Sequence, residues 1–431
     1  MRPVTQLRRT LGTLDGLAMV VGIAVGAGIF RTPGLVAADL GRPGLTFVAW
    51  VLGGLVSLLG ALVFAELSTR FPQAGGKYVY AREAYGRRAA FVVGWIEVVI
   101  YSAAIAAVSV VSGEYLARLF SWSGTRAQDT GVVLIVLFTA LNLIGVTAGR
   151  LTQNVVTAAK VLALFGVVMM AGLAGHGSGW HTSLPHAPTG LAAWGALALA
   201  FQAVIWSYYG YPDAAKIAEE VDDPDRRLPR IFLIGIASVT ALYLLLNAAF
   251  LQVLSFPRIA SSTLVAGDVA AEIFGARAGM LMAGLAFLVV IASLNGNLFV
   301  TPRVVFGLSR DGLGPIALAR VNPGGTPWTA MVLVGALSTV LAATGEFDRL
   351  LTLAITLILV TDGFMVLVLF RLRRQGGPSA FHVPFYPALP LAFLLTYAAL
   401  FVGAVVQQPW PTLYALGVLV AAWVLSLIVV R

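Results

Sequence analysis

Two short stretches decide how this chain folds: Gly22-Ile23-Ala24-Val25-Gly26-Ala27-Gly28-Ile29-Phe30 and Val204-Ile205-Trp206-Ser207-Tyr208-Tyr209-Gly210-Tyr211-Pro212. Each lies in an apolar run long enough for a membrane helix, and each holds residues that a helix interior tolerates poorly. Glycine adopts backbone angles that a helix refuses, and Pro212 has no N–H to donate. Gly26-Ala27-Gly28 is not a dinucleotide fingerprint, because no strand precedes it and no βαβ unit surrounds it. Gly22-xxx-Gly26 also reads as a small-residue packing face. One interruption would say little. Two, in the first and sixth apolar runs, predict broken helices facing each other near the bilayer middle. Unwound backbone survives there only when buried in protein or lining a cavity. N–H groups that open one half-helix attract an anion and carbonyls that close another attract a cation, so such a pocket suits a zwitterion.

Composition points the same way. Of 431 residues, 59% are hydrophobic and 11% charged, against about 45–50% and about 25% in soluble domains. That nearly excludes a soluble enzyme and predicts an all-α polytopic membrane protein. Apolar runs fall at 13–38, 45–69, 89–117, 130–148, 152–174 and 192–214, then at 230–254, 277–306, 328–344, 349–370, 387–406 and 411–430. Spans need about 20 residues each, so about twelve fit. They divide into a first five-helix repeat (1–174), a second, inverted one (192–370) and two further helices (387–431). Arg8-Arg9 before the first run imitates a signal peptide, but the run is too long and lacks a cleavage site, so it is read as a span.

Most of the 28 Lys and Arg residues fall on one side of this arrangement. They include Arg2, Arg8, Arg9, Arg70, Lys77, Arg82, Arg150, Lys216, Arg303, Arg373 and Arg431. Loop bias of this kind sets orientation and places both termini in the cytoplasm. The net charge of +9 is therefore read as topology and not as affinity for nucleic acid. The chain has no cysteine, so no disulfide or thiolate metal site is available to it.

Several motifs, in order along the chain, resemble the amino acid–polyamine–organocation transporters. Gly26-Ala27-Gly28-Ile29-Phe30-x-x-Pro33 is similar to their first-helix signature. The first loop matches in Ala65-Glu66-Leu67, Phe71-Pro72-x-x-Gly75-Gly76-x-Tyr78-x-Tyr80 and Glu83-Ala84-Tyr85-Gly86. Further on come Glu219-Glu220-Val221-x-x-Pro224-x-x-x-Leu228-Pro229, then Leu294-Asn295-Gly296, Arg303 and Arg310-Asp311-Gly312. Bacterial relatives of the L-type amino acid exchangers resemble it most. The resemblance implies a five-plus-five inverted-repeat (LeuT-like) fold with broken helices 1 and 6, working by alternating access. It implies that a substrate carboxylate rests on the amides of Gly26, Ala27 and Gly28. The amino group then meets carbonyls around Ile23 and from Val204 to Ser207, with Trp206 as the covering aromatic next to Gly210. Tyr209 departs from the pattern, which has glycine there, and is expected to limit substrate size. Animal members pair with a heavy subunit through a disulfide; without cysteine this chain cannot.

Ionisable residues within the spans complete the reading. Lys160 lies deep in the fifth span, where a charge costs at least about 2.5–3.5 kcal/mol on insertion scales. Either helix-end carbonyls satisfy it as a structural tie, or it serves coupling. The family places a lysine where sodium-coupled relatives bind an ion, bridging the first and eighth helices. If neutralisable it would couple transport to protons; if permanently charged it would mimic sodium and permit sodium-independent exchange. Glu97 and Asp362 read as structural pairing partners, Asp213 as a contact for a cationic substrate, and Glu66 as an interfacial or capping residue. Asp222-Asp223-x-Asp225 reads as a solvated loop, with Arg226, Arg227 and Arg230 as partners. His176, His181 and His186 have the wrong spacing for one helical face. No metal, no cofactor and no enzymatic constellation is expected. The function expected is sodium-independent amino acid transport across the cytoplasmic membrane, as an exchanger or a proton-coupled symporter, with polyamine or other organic-cation transport as the alternative. A membrane-embedded transferase or a ligand sensor is more distant.

Overall fold

A computed structural model describes residues 9–120, 122, 124–185, 187–344 and 347–430. Arg2, Arg8, His186 and Arg431 lie outside the described residues. The chain opens with α1 (Thr13–Ala24), α2 (Ala27–Leu40), α3 (Pro43–Arg70), α4 (Lys77–Tyr85), α5 (Arg87–Phe120), α6 (Gly124–Ile144) and α7 (Val146–Ala174). After a 3-10 turn come α8 (Gly190–Tyr208), α9 (Pro224–Val253), the short α10 (Phe256–Ala260) and α11 (Val265–Phe274), and α12 (Ala276–Arg310). The chain finishes with α13 (Trp328–Thr344), α14 (Phe347–Gln375), α15 (Ala388–Gln407) and α16 (Pro409–Val429).

A helix occupies each of the twelve apolar runs. Among the described residues, eight helices are long and apolar enough to cross a membrane, and α1 with α2 makes a ninth candidate, bent by 42°. The helices of 129–144 and 328–343 are apolar but shorter. Among the described residues there is no strand.

Small residues set the packing distances, as they do where lipid supplies no hydrophobic drive between helices. A Cβ on Gly235 of α9 would stand 2.7 Å from the Val20 side chain of α1, and one on Gly54 of α3 would stand 2.5 Å from Thr240 of α9. Gly22 faces Gln153 and Thr157 of α7, so it is a packing glycine while Gly26, four residues on, is the break. Both readings of that pair hold, one for each glycine.

The second interruption differs from a simple broken helix. α8 stops at Tyr208, and the chain continues as two 3-10 turns, Tyr211–Ala215 and Ala218–Glu220. Gly210 has φ 161 and ψ −22, and Pro212 offers no N–H for helical pairing. The run 192–214 is thus one helix plus a tight turn, not two half-helices.

One end of the bundle is densely tied. The N–H groups of Thr10 and Leu11 both donate to the Glu220 carbonyl at 2.9 Å, and Asp222 N–H donates back to Leu11 at 3.0 Å. Arg303 meets Glu220 at 2.6 Å, Arg310 meets Glu219 at 3.1 Å, and Arg82 pairs with Asp311. Tyr78 donates to Asp311 at 3.2 Å. Burial first, and then the Asp311 carboxylate, hold the Tyr78 phenol above its ordinary range, so it stays a donor. Glu66 is buried and accepts from Arg70, Arg373 and the Val383 N–H, which makes it a tie between α3 and α14. The motif residues of the first loop and of α12 are therefore partners in one ring of ion pairs.

Two charges assigned to loops need correction. Lys77 and Lys216 are each 1% exposed and point into the protein, because buried carboxylates wait for them there. They contribute nothing to a loop-charge count.

Candidate functional site

The two breaks meet. A Cβ on Gly210 would fall 2.6 Å from the Ala24 nitrogen, and one on Gly28 would fall 2.8 Å from the Ser207 Cα. Only glycine allows backbone to approach backbone this closely. Tyr243 of α9 joins the two: its hydroxyl lies 2.7 Å from the Ala24 carbonyl and 2.9 Å from the Ser207 carbonyl, sharing one proton between them. Its ring packs on Tyr208 and Trp50, and the Tyr208 hydroxyl donates to the Trp50 carbonyl at 2.9 Å. Nothing in the sequence marked Tyr243 except a hydroxyl placed midway along an apolar run.

The carbonyl end of α1 is fully engaged. Lys160 donates to Gly22 at 2.5 Å and to Val25 at 2.7 Å, Ser293 of α12 donates to Ile23 at 2.7 Å, and the Gly26 N–H turns back to Ala24 at 2.9 Å. Helix-end carbonyls carry partial negative charge and need partners, and a buried ammonium meets that need. Both of these bonds from Lys160 go to α1; the bond from α1 to α12 comes from Ser293. On the other side of the gap, Ala27, Gly28 and Ile29 open α2, and their N–H groups have no carbonyl of that helix behind them. The first break is thus closed at its carbonyl end, and its amide end presents the first N–H groups of α2, which that helix does not itself satisfy.

A small cavity of about 30 Å³ lies at this junction, well below the about 300–1,000 Å³ of sites that hold a small molecule, so its walls must part to admit one. Ile23, Gly26, Gly28, Trp206 and Tyr209 line it, as expected, and Ala24, Tyr101, Asp213, Ser293 and Asn297 join them. Ser207 and Gly210 form its backbone frame through the contacts above. Val204 is different: its side chain packs toward Gly53 of α3. Ala27 contributes its place in the backbone at the start of α2.

Below the cavity lies a fully buried charge cluster. Lys77 is 2.6 Å from Asp362 and 3.4 Å from Glu97, and it donates to the Tyr209 hydroxyl at 2.9 Å. Tyr209 in turn lies 3.4 Å from Asp362. Asp213 pairs with Lys216 at 2.7 Å, and the Lys216 ammonium lies over the Tyr101 ring. Glu97 and Asp362 are therefore paired residues, and Tyr209, which lines the cavity, touches their cluster through its hydroxyl. Asp222 pairs with Arg227 at 3.2 Å. Among the described residues no group of three His, Asp or Glu side chains could hold a metal.

Comparison with known proteins agrees with this geometry. The family model described as amino acid permease matches residues 11–424. The chain is 30% identical over 392 residues to the serine/threonine exchanger SteT of Bacillus subtilis (strain 168), covering 89% of this chain and 88% of that protein. It is 28% identical to the Homo sapiens b(0,+)-type amino acid transporter 1, covering 95% of this chain and 85% of that one. It is 29% identical to the Homo sapiens Asc-type amino acid transporter 1, covering 94% and 79%. These relatives are transporters, not enzymes.

Proposed function

The chain belongs to the amino acid permease family, and from that premise we propose that it exchanges neutral L-amino acids across the cytoplasmic membrane by alternating access, without sodium. One observation carries the reading: two chain breaks from different helices line one cavity, with Gly26 and Gly28 of the first in its wall. The carboxylate of the substrate binds those amides, where the start of α2 favours negative charge. Its ammonium shares the second lone pairs of the carbonyls of Ile23 and Ser207. Trp206 covers it and Tyr209 bounds it below.

Sodium independence rests on Lys160. Its ammonium occupies the carbonyls of Gly22 and Val25, where a cation would otherwise be needed to complete the end of α1. Exchange is favoured by the likeness to the Bacillus subtilis relative, a serine/threonine exchanger. The architecture proposed is twelve spans, with 1–174 and 192–370 as inverted five-helix repeats, 387–431 as two added helices, and both termini in the cytoplasm.

Proteoliposomes containing only this protein test the function. Uptake of labelled amino acid is expected only when unlabelled amino acid is loaded inside, with or without sodium. Uptake into empty vesicles driven by a proton gradient would replace exchange by symport. For the topology, the absence of native cysteine makes labelling simple. Cysteines placed singly at Ser178 and Ser379 should react from opposite faces, Ser178 from outside. Equal labelling of both by an impermeant reagent would contradict the twelve-span arrangement.

A further inference from the structure

Lys77 stands where an ammonium is costly. It opens α4, an end of the helix that favours negative charge, and it is buried. Gly75 and Gly76, both in the left-handed region at φ 115 and φ 63, turn the chain just before it. A buried ammonium holds only with carboxylates and further acceptors around it. Asp362 at 2.6 Å and Glu97 at 3.4 Å supply the charge. Its other donors reach Tyr209 Oη at 2.9 Å and Thr361 Oγ1 at 3.4 Å. Tyr209 Oη in turn donates to Asp362 at 3.4 Å. The phenol therefore accepts from an ammonium and donates to a carboxylate, the stronger class of hydrogen bond. Its one proton is committed to the cluster, so Tyr209 meets the cavity as a ring.

We infer that Lys77 is a positioning residue for substrate choice: it pins the Tyr209 ring by its hydroxyl, and the pin sets how large a side chain the cavity admits. This rests on the amino acid reading of the cavity. The cavity is smaller than any substrate, so some of its walls part on binding. A wall held by apolar contacts alone yields to a larger side chain by a change of rotamer. Tyr209 is held at both ends, at its backbone by the turn through Gly210 and at Oη by Lys77 and Asp362. It is the wall that does not yield. Lys77 stands outside the cavity lining and acts on it through the phenol. A lysine that merely ties α4 to α5 and α14 would, when removed, lower uptake of every substrate alike. A pin, when removed, changes their order.

The test is counter-exchange uptake of labelled L-alanine and L-leucine into proteoliposomes of the full-length protein, read as the leucine-to-alanine ratio. Tyr209→Phe keeps the ring and every charge pair and deletes only the pinned hydroxyl. The ratio should rise several-fold, toward that of Tyr209→Ala. Lys77→Met together with Asp362→Asn removes one charge of each sign, so the cluster keeps its net charge, and should raise the ratio by a similar factor. Added to Tyr209→Phe, that pair should raise it no further, because both changes delete the same contact. An unchanged ratio in Tyr209→Phe beside a raised one in Tyr209→Ala would leave the limit to the ring alone and overturn the pin. Equal loss of alanine and leucine uptake in the charge-pair variant would overturn it too and return Lys77 to a structural tie. An unchanged ratio in Tyr209→Ala as well would remove Tyr209 from the substrate's surroundings, and with it the proposed site, a result distinct from the others.

Discussion

The two chain breaks are built differently, and under the proposed function that difference divides recognition between them. At the first, helix resumes after two residues, and the carbonyl end is closed by Lys160, Ser293, Tyr243 and the Gly26 N–H. Its amide end is the start of α2, whose first N–H groups that helix does not itself satisfy. At the second, helix gives way to 3-10 turns that carry their own ion pair, Asp213–Lys216, and an aromatic wall. Backbone groups suit what every amino acid shares, its carboxylate and ammonium. Side chains suit what distinguishes one amino acid from another. The contrast assigns common recognition to the first break and discrimination to the second.

Substitutions can break that contrast, and the largest effect is expected at Gly28. Gly28→Leu drives a side chain into Ser207, where even a Cβ would stand 2.7 Å from Oγ. Uptake should fall at least about 100-fold, the equivalent of about 2.7 kcal/mol, with the protein still in the membrane. Normal uptake would move the site away from the first break.

Lys160→Ala comes next. It strips two buried carbonyls of a charged donor, a loss of about 1.5–3 kcal/mol for one such bond. Transport should fall more than about 10-fold, or the apparent affinities on the two faces should diverge. Wild-type uptake at every pH, with unchanged affinity on both sides, would leave Lys160 a structural tie and nothing more.

Tyr243→Phe should cost about 1 kcal/mol, or roughly 5-fold in uptake, because it deletes one neutral hydrogen bond shared by the two breaks. The loss should be alike for all substrates, since Tyr243 touches backbone. The clearest effect on choice is expected at Tyr209. Tyr209→Ala should admit larger side chains, measured as a few-fold rise in relative uptake of leucine over serine. An unchanged preference order would take size selection away from the second break.

How far the sequence foretold this structure depends on the kind of signal. Helices were readable because each needs its own run of apolar residues: a helix stands at all twelve runs, and among the described residues eight are long and apolar enough to cross a membrane, with α1 and α2 as a ninth candidate. The breaks were readable because glycine and proline act locally. The charge cluster was not. Lys77 reads as a loop cation in the segment after α3, yet its partners are Glu97 on α5 and Asp362 on α14. No spacing along the chain announces a contact between residues 77 and 362. Tyr243 and Ser293 escaped for the same reason: each is a single hydroxyl in an apolar helix, and only the fold shows that both reach the end of α1. The 3-10 continuation after Gly210 was hidden because residues 211–220 suit a half-helix as well as they suit a 3-10 turn.

The central claim is that the amides at the start of α2 hold a carboxylate. The direct measurement compares a neutral L-amino acid with its carboxamide, binding each to the purified protein by thermal shift, since a ligand stabilises the state it binds. Blocking the carboxylate should weaken binding by at least about 1.5 kcal/mol, or more than about 10-fold, as expected for a charged hydrogen bond. If the carboxamide or putrescine binds as tightly as the free amino acid, or more tightly, the claim is wrong and the cavity belongs to an organic cation.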